Sequence, residues 1–265
     1  MGNSHPPRPP TALISESATK VSSLLPVDRE GWLSPNPLLP QSNEQVQVRL
    51  AIISDTHQQH YRLKLPAAAD VLIHCGDFSR HRSSGTDTRT FNQWLGTLKD
   101  RFPNRVVVGG NHDYGLLRNK LTNATHVLCD QTATICGLRV HGAPWSPSRS
   151  ILKYRAQAFT LSRNKIRKHW ALVPREGLDI LVTHCPPQNM LDDNGLGCPE
   201  LAECVVNVQP RLHVFGHKHN SRGARVCEWR DGRSTVFVNA ASVRGKGILD
   251  DPMNPVITLE MSRST

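Results

Sequence analysis

The sequence predicts an α/β fold with helices on the outside, and two observations carry this. Short apolar runs rich in Val, Ile and Leu alternate with segments of helical period from residue 46 to residue 239. The polar clusters of the chain follow directly on those runs, at the end where open α/β sheets gather their ligand sites.

In chain order, VQVRLAIIS (46–54), DVLIHCG (70–76) and RVVVGG (105–110) read as strands. Between the last two, TFNQWLGTLKDRF (90–102) repeats Phe91, Trp94, Leu95 and Leu98 at helical spacing. LRVHGAPW (138–145) ends a further strand, a helical region is expected over 153–170, and DILVTH (179–184) is the next strand. A short helix over 199–206 leads to RLHVFGH (211–217), then to hairpin-like strands at 224–230 and 234–239. No repeat of solenoid period is present.

Residues 1–44 differ in texture. Pro6, Pro7, Pro9, Pro10, Pro35, Pro37 and Pro40 break any periodicity, and the segment is rich in Ser and Asn. Such a composition buries too little surface to fold alone, so 1–44 is expected to be a disordered or loosely docked arm before one domain over 45–265. The stretch MGNSHPPRPPTALIS lacks the apolar centre of a signal peptide, and Pro6 stands where a myristoylation motif needs Ser or Thr.

Bulk properties narrow the function classes. With 265 residues the chain can bury a full core, and 38% apolar residues without a long apolar run predict no membrane span. A formal charge of +10 favours anionic ligands in general. Seven cysteines without a C-x-x-C pair suggest neither a disulfide framework nor a thiolate zinc site, which favours a reducing, cytoplasmic setting.

The polar clusters carry the chemistry. The first strand ends in Asp55-Thr56-His57, the second in Gly76-Asp77, and the third in Gly110-Asn111-His112-Asp113. Later strands end in His184 and in Gly216-His217-Lys218-His219. Each block alone has an ordinary explanation as a cap, turn or structural histidine. Five in succession, each after a β-run, point to metal binding. Carboxylates, imidazoles and an amide oxygen without thiolate suit Mn, Fe, Zn or Co.

The order D-x-H, G-D, G-N-H-D, H, G-H-x-H resembles the calcineurin-like metallophosphoesterases. The flanking text SDTH, DVLIHCGDF, FNQWLG, HGAPW, EGLDILVTHCPP and QPRLHVFGHKH is similar to that of the small metallophosphoesterase-domain-containing (MPPED-type) proteins. The resemblance covers about residues 46–260. It implies a four-layer α/β/β/α sandwich of two mixed β-sheets, and two transition metal ions, divalent or mixed-valence, with Mn favoured for activity. It further implies a first metal held by Asp55, His57, Asp77 and His219, and a second by Asp77, Asn111, His184 and His217, with Asp77 bridging.

Two such ions about 3.5–4 Å apart clamp a phosphoryl group and acidify a bridging water to hydroxide. The expected reaction is therefore hydrolysis of a small phosphodiester such as a cyclic nucleotide. A phosphoprotein or phosphomonoester phosphatase, a nuclease and a non-catalytic scaffold are the alternatives. Asn111 gives a neutral oxygen, so the second metal gains a ligand without a third negative charge. His112 is expected to protonate the leaving alkoxide, with Asp113 holding its ring tautomer. Gly109 and Gly110 are expected to allow a sharp backbone turn.

Several neighbours have less certain roles. Arg80 and His81 follow the G-D block and could touch a phosphate or base. Trp145 and Tyr114 could stack on a base, with core packing the better reading for Trp145. Asn239 is expected to support the site or simply to turn the chain, and Cys75 and Cys185 to be inert buried thiols.

Overall fold

The computed structural model describes residues 14, 17–23, 32–33, 46–80, 85–148, 157–245 and 251–263. The strands in chain order begin with β1 (Ala18–Ser23), β2 (Trp32–Leu33), β3 (Gln47–Ile53), β4 (Val71–His74) and β5 (Asn104–Val108). Then come β6 (His126–Leu128), β7 (Gln131–Ile135), β8 (Leu138–Ala143), β9 (Ser146–Pro147) and β10 (Thr160–Leu161). The last five are β11 (Ile180–Thr183), β12 (Leu212–Phe215), β13 (Gly223–Trp229), β14 (Ser234–Asn239) and β15 (Ile257–Ser262). The helices are α1 (Gly85–Thr97), α2 (Arg163–Trp170) and α3 (Pro199–Val208).

These strands make two mixed sheets, ordered β2-β15-β3-β4-β5-β6 and β1-β13-β14-β12-β11-β8-β7. The central strands β3 to β6 pair in parallel, as do β8, β11, β12 and β14. Strands buried on both faces read as continuous apolar runs, which is why Val71–His74 and Ile180–Thr183 show no alternation.

Three apolar clusters fill the spaces between layers. Leu50, Ile52, Val106, Val108, Val182 and Val214 belong to the cluster between the two sheets. On the outer face of the first sheet, Ala51, Ile53, Leu72 and Val107 pack with Phe91, Trp94 and Leu95 of α1. On the outer face of the second, Leu181 and Phe215 pack with Ile166 and Trp170 of α2 and Leu201 and Val205 of α3. The result is the expected α/β/β/α sandwich. Both parallel strand sets point their C-terminal ends at the same rim, so the five polar blocks meet there.

Local chemistry sets the helix ends. Pro199 opens α3, and the Cys198 Sγ accepts a hydrogen bond from the Leu201 N–H at 3.4 Å. The helical region expected over 153–170 is shorter in the structure. Residues 149–156 lie outside the described residues, and Phe159 takes a left-handed backbone (φ 48°) before Thr160–Leu161 pairs with Ser146–Pro147. Only Arg163–Trp170 is helix.

Parts of the arm dock on the sheets. Ala18–Ser23 pairs antiparallel with the edge of β13, and Trp32–Leu33 pairs with β15. Ile14 is only 2% exposed and joins the cluster under α2 and α3. A segment too polar to fold alone still docks when a preformed sheet edge offers it unpaired backbone groups. The other residues of 1–44 lie outside the described residues.

Candidate metal centre

The strand ends bring Asp55, His57, Asp77, Asn111, His184, His217 and His219 together. Nitrogen and oxygen atoms of Asp55, His57 and His219 lie within 4.8 Å of one another, as do those of Asp77, His184 and His217. His57, Asp77 and His112 form a third such group, which shares His57 with the first and Asp77 with the second.

The hydrogen bonds fix which ring atoms face inward. The Nδ1–H of His57 donates to the Ser79 carbonyl at 2.9 Å, and that of His219 to the Gly245 carbonyl at 2.7 Å. Whenever either ring is neutral, its Nε2 then carries a bare lone pair. Those two Nε2 atoms stand 3.3 Å apart, with the Asp55 Oδ1 3.3 Å from the second. The Asp55 Oδ1 is buried and has no hydrogen-bond partner among the described residues. Three acceptors facing one point repel unless a cation or proton lies between them.

The second cluster repeats this. The Nδ1–H of His184 donates to the Cys75 carbonyl at 2.9 Å, so its Nε2 faces the Asn111 Oδ1 at 3.0 Å, the His217 Nδ1 at 3.2 Å and the Asp77 Oδ2 at 3.3 Å. All four atoms are hard or borderline acceptors suited to a divalent transition ion.

The protonation equilibria fit a site built for positive charge. Burial pushes the His57 imidazole down, and burial with the charge of His184 pushes His217 to about 3, which keeps both as neutral donors. Burial opposes charge on His184 and His219 too, but Asp77 and Asp55 beside them outweigh it and raise each to about 9. Burial likewise favours the neutral forms of Asp55 and Asp77, yet the adjacent imidazoles hold both carboxyls below the ordinary range. Each cluster thus retains a proton where a cation would sit.

The backbone is strained at the same places. Asp55 (φ 50°), His57 (φ 43°), Asp77 (φ 56°) and His217 (φ 67°) all occupy the left-handed region, which non-glycine residues rarely adopt. Long-range bonds hold these turns. The Asp55 Oδ2 accepts from the His217 N–H at 2.8 Å, and the Asp77 Oδ1 from the His112 N–H at 2.8 Å. The Asn239 Nδ2 donates to the Lys218 carbonyl at 2.9 Å and to the Leu191 carbonyl at 3.0 Å, pinning the chain between His217 and His219. Asn239 therefore supports the site.

His112 lies at the mouth. Its side chain is 20% exposed against 3% for Asp77, its Nε2 is 3.8 Å from the Asp77 Oδ2, and its ring meets His57 edge-on at 5.0 Å.

Asp113 sits behind the site, bonded to the backbone. Its Oδ2 accepts from the N–H groups of Asp77 and Gly110, both at 2.8 Å, and its Oδ1 accepts from the Ser79 N–H at 2.9 Å. The carboxylate clasps the loops that carry Asp77 and Asn111. Burial and the Asp77 charge push it up to about 7 against the pull of those amides. The glycines are also there for another reason. Neither Gly109 nor Gly110 has a positive φ. A Cβ on Gly110 would collide with the Asp77 carboxylate, and one on Gly109 would meet the Phe159 ring at 2.5 Å.

The remaining candidates take structural places. Arg80 is bound to Asp87 of α1 through its Nη2 at 2.9 Å, and His81 lies outside the described residues. The Trp145 Nε1–H donates to Asp130, with His169 bonding the same carboxylate at 2.6 Å. Tyr114 begins a 3-10 turn (Tyr114–Leu117). Cys75 and Cys185 are buried, and burial raises both thiols well above the ordinary value. Sequence reasoning missed the carbonyls of Cys75, Ser79 and Gly245, because a backbone oxygen leaves no mark in residue type.

Comparison with known proteins agrees with this geometry. Residues 48–221 match the family model described as calcineurin-like phosphoesterase. Metallophosphoesterase domain-containing protein 1 of Homo sapiens is 32% identical over 249 residues, covering 80% of this chain and 71% of that protein. A UPF0046 protein of Caenorhabditis elegans is 34% identical over 227 residues, covering 73% of this chain and 75% of that one. A solved structure 14% identical in sequence, covering 73% of this chain and 90% of its own, shares the fold with a TM-score of 0.50. Family model, relatives and two-sheet architecture agree, and the chain belongs to the calcineurin-like phosphoesterase family.

Proposed function

We propose that the chain is a dinuclear metal-dependent phosphodiesterase acting on small phosphodiesters such as cyclic nucleotides, with Mn as the favoured metal. The observation that carries this is the convergence of nitrogen and oxygen acceptors in two clusters, which a third group of His57, Asp77 and His112 joins. Asp55, His57, Asp77 and His219 would hold one ion, and Asp77, Asn111, His184 and His217 the other. When bound, the two ions would clamp phosphoryl oxygens and make a water nucleophilic near neutral pH.

The chain's own groups do the rest. His112, at the mouth, donates a proton to the departing alkoxide oxygen. Asn111 completes its site without added negative charge. Asp113 fixes the spacing of the Asp77 and Asn111 loops through three backbone amides. A monoanionic diester suits the site better than a dianionic monoester, because Arg80, the basic residue after the G-D block, is bound to Asp87.

A screen of phosphomonoesters, linear diesters and 2′,3′- and 3′,5′-cyclic nucleotides on metal-reconstituted protein tests this. Preferential diester turnover is expected, and turnover confined to monoesters would overturn the reading. In the same assay His112→Ala should keep both metals and lose about 10²–10⁴-fold on alkyl esters, but much less on a p-nitrophenyl diester that needs no proton. Loss of metal from that variant would make His112 a ligand.

A further inference from the structure

Beside the metal loops lies a second cavity of about 510 Å³, which the roles assigned above leave unused. Its lining is mostly apolar, with Leu116, Leu117, Leu121, Val127, Leu128 and Phe159 forming much of it beside the polar Asn119, Thr122 and Thr125. Among the described residues, Lys120 is the one charged side chain in that lining.

Two walls of the cavity are tied to Asn111. Gly109 lines it and lies two residues before Asn111, a reach of at most about 7 Å. Phe159 lines it from the other side, and the neighbouring Ala158 N–H donates to the Asn111 carbonyl at 3.1 Å. The Phe159 ring lies so close over Gly109 that a Cβ there would meet it at 2.5 Å. Phe159 also keeps a left-handed backbone (φ 48°). A strained residue facing a pocket is held by its surroundings, and such residues gather at ligand clamps. A mere packing gap would draw in its neighbours, yet Leu117 remains 59% exposed at the edge.

We propose that this cavity is a subsite for an apolar organic group, alkyl or aryl, carried on the same phosphorus that the metal loops address. The inference rests on the phosphodiesterase reading and narrows it: among diesters, preference runs toward those with an uncharged apolar ester group over cyclic nucleotides, whose two ester oxygens both belong to ribose.

The test uses full-length, manganese-reconstituted protein and p-nitrophenyl diesters whose second ester group is methyl, butyl, hexyl, phenyl or glyceryl. The leaving group is constant, so kcat/KM reports the second group. It should rise about fourfold per added methylene until the cavity is full, while the glyceryl ester stays near the methyl ester. Leu117→Asp, at an exposed position, should cut the rise to less than twofold per methylene.

An active enzyme with no chain-length dependence would overturn the subsite. So would a dependence that Leu117→Asp leaves intact. A second readout separates this failure from failure of the underlying reading: fluorescence of N-phenyl-1-naphthylamine bound to the same protein. Absence of turnover on every ester would overturn the phosphodiesterase reading. The pocket would then be upheld by dye binding that Leu117→Asp weakens at least tenfold, and overturned if the dye does not bind.

Discussion

Replacing Asp113 by Asn separates two roles for one carboxylate. In the native loop its two oxygens accept three backbone N–H groups, from Asp77 and Gly110 at 2.8 Å and from Ser79 at 2.9 Å. An asparagine has one acceptor oxygen. Its best placement keeps the Asp77 and Gly110 bonds and turns an NH₂ group toward the Ser79 N–H, leaving a fully buried donor unpaired. Such a donor costs about 1–3 kcal/mol. Relief of the repulsion from Asp77, which helps push Asp113 up to about 7, offsets part of this.

For a domain of this size the net loss corresponds to a melting temperature lower by roughly 2–10 °C. The loops that shift carry Asp77 and Asn111, so metal affinity should fall as well. Turnover should then drop by the same factor on an alkyl diester and on a p-nitrophenyl diester. Thermal melts at fixed metal, metal content and the two rates decide the matter. An unchanged melt and metal content, with loss confined to the alkyl ester, would refute the clasp and restore the orientation of His112 as the role of Asp113.

Further outcomes follow from the same geometry. Asp77→Asn should lose occupancy at both metal positions together, because the carboxylate borders both clusters; elemental analysis finding two tightly held ions would contradict its shared place. Stability should fall steeply in acid, because burial pushes His60, His74 and His213 each to about 3. An unfolded histidine takes up its proton near pH 6.5, so the stability these rings contribute is full above that pH and is lost as pH falls toward 3. At pH 5.5 each should account for about 1.4 kcal/mol, to be read as a lower urea midpoint than at pH 7.5; coincident urea curves would refute it. Deleting residues 1–44 removes the partner strand of β13 and buried Ile14, so the melt should drop by several degrees and self-association should rise. No candidate site residue lies there, and turnover per folded molecule should stay within a few fold. A loss of hundreds of fold at unchanged stability would show that the arm completes the site.

The convergence of the five polar blocks was legible because each follows a buried apolar run, and parallel strands deliver their C-terminal residues to one rim. Asn111 and His112 illustrate this, since both were placed by Val106–Val108 alone. The function of Asp113 was hidden because its partners Asp77 and Ser79 lie 36 and 34 residues away and contribute only backbone amides. Gly109 was misread for a similar reason. Its close neighbour is Phe159, a contact that exists only once both sheets are assembled. The docked strand Ala18–Ser23 was not legible, because its pairing with the edge of β13 is made by backbone groups, which leave no mark in residue type.

The left-handed backbones of Asp55, His57, Asp77 and His217 set the protein against itself. Each costs about 1–2 kcal/mol that a glycine would avoid, yet a glycine brings no lone pair. Thermal robustness and metal chemistry therefore pull these four codons in opposite directions. A library of variants sorted only for heat resistance, in chelator, should drift toward glycine at these positions and return a sturdier, inert protein. Sorted with metal present, the same library should keep them.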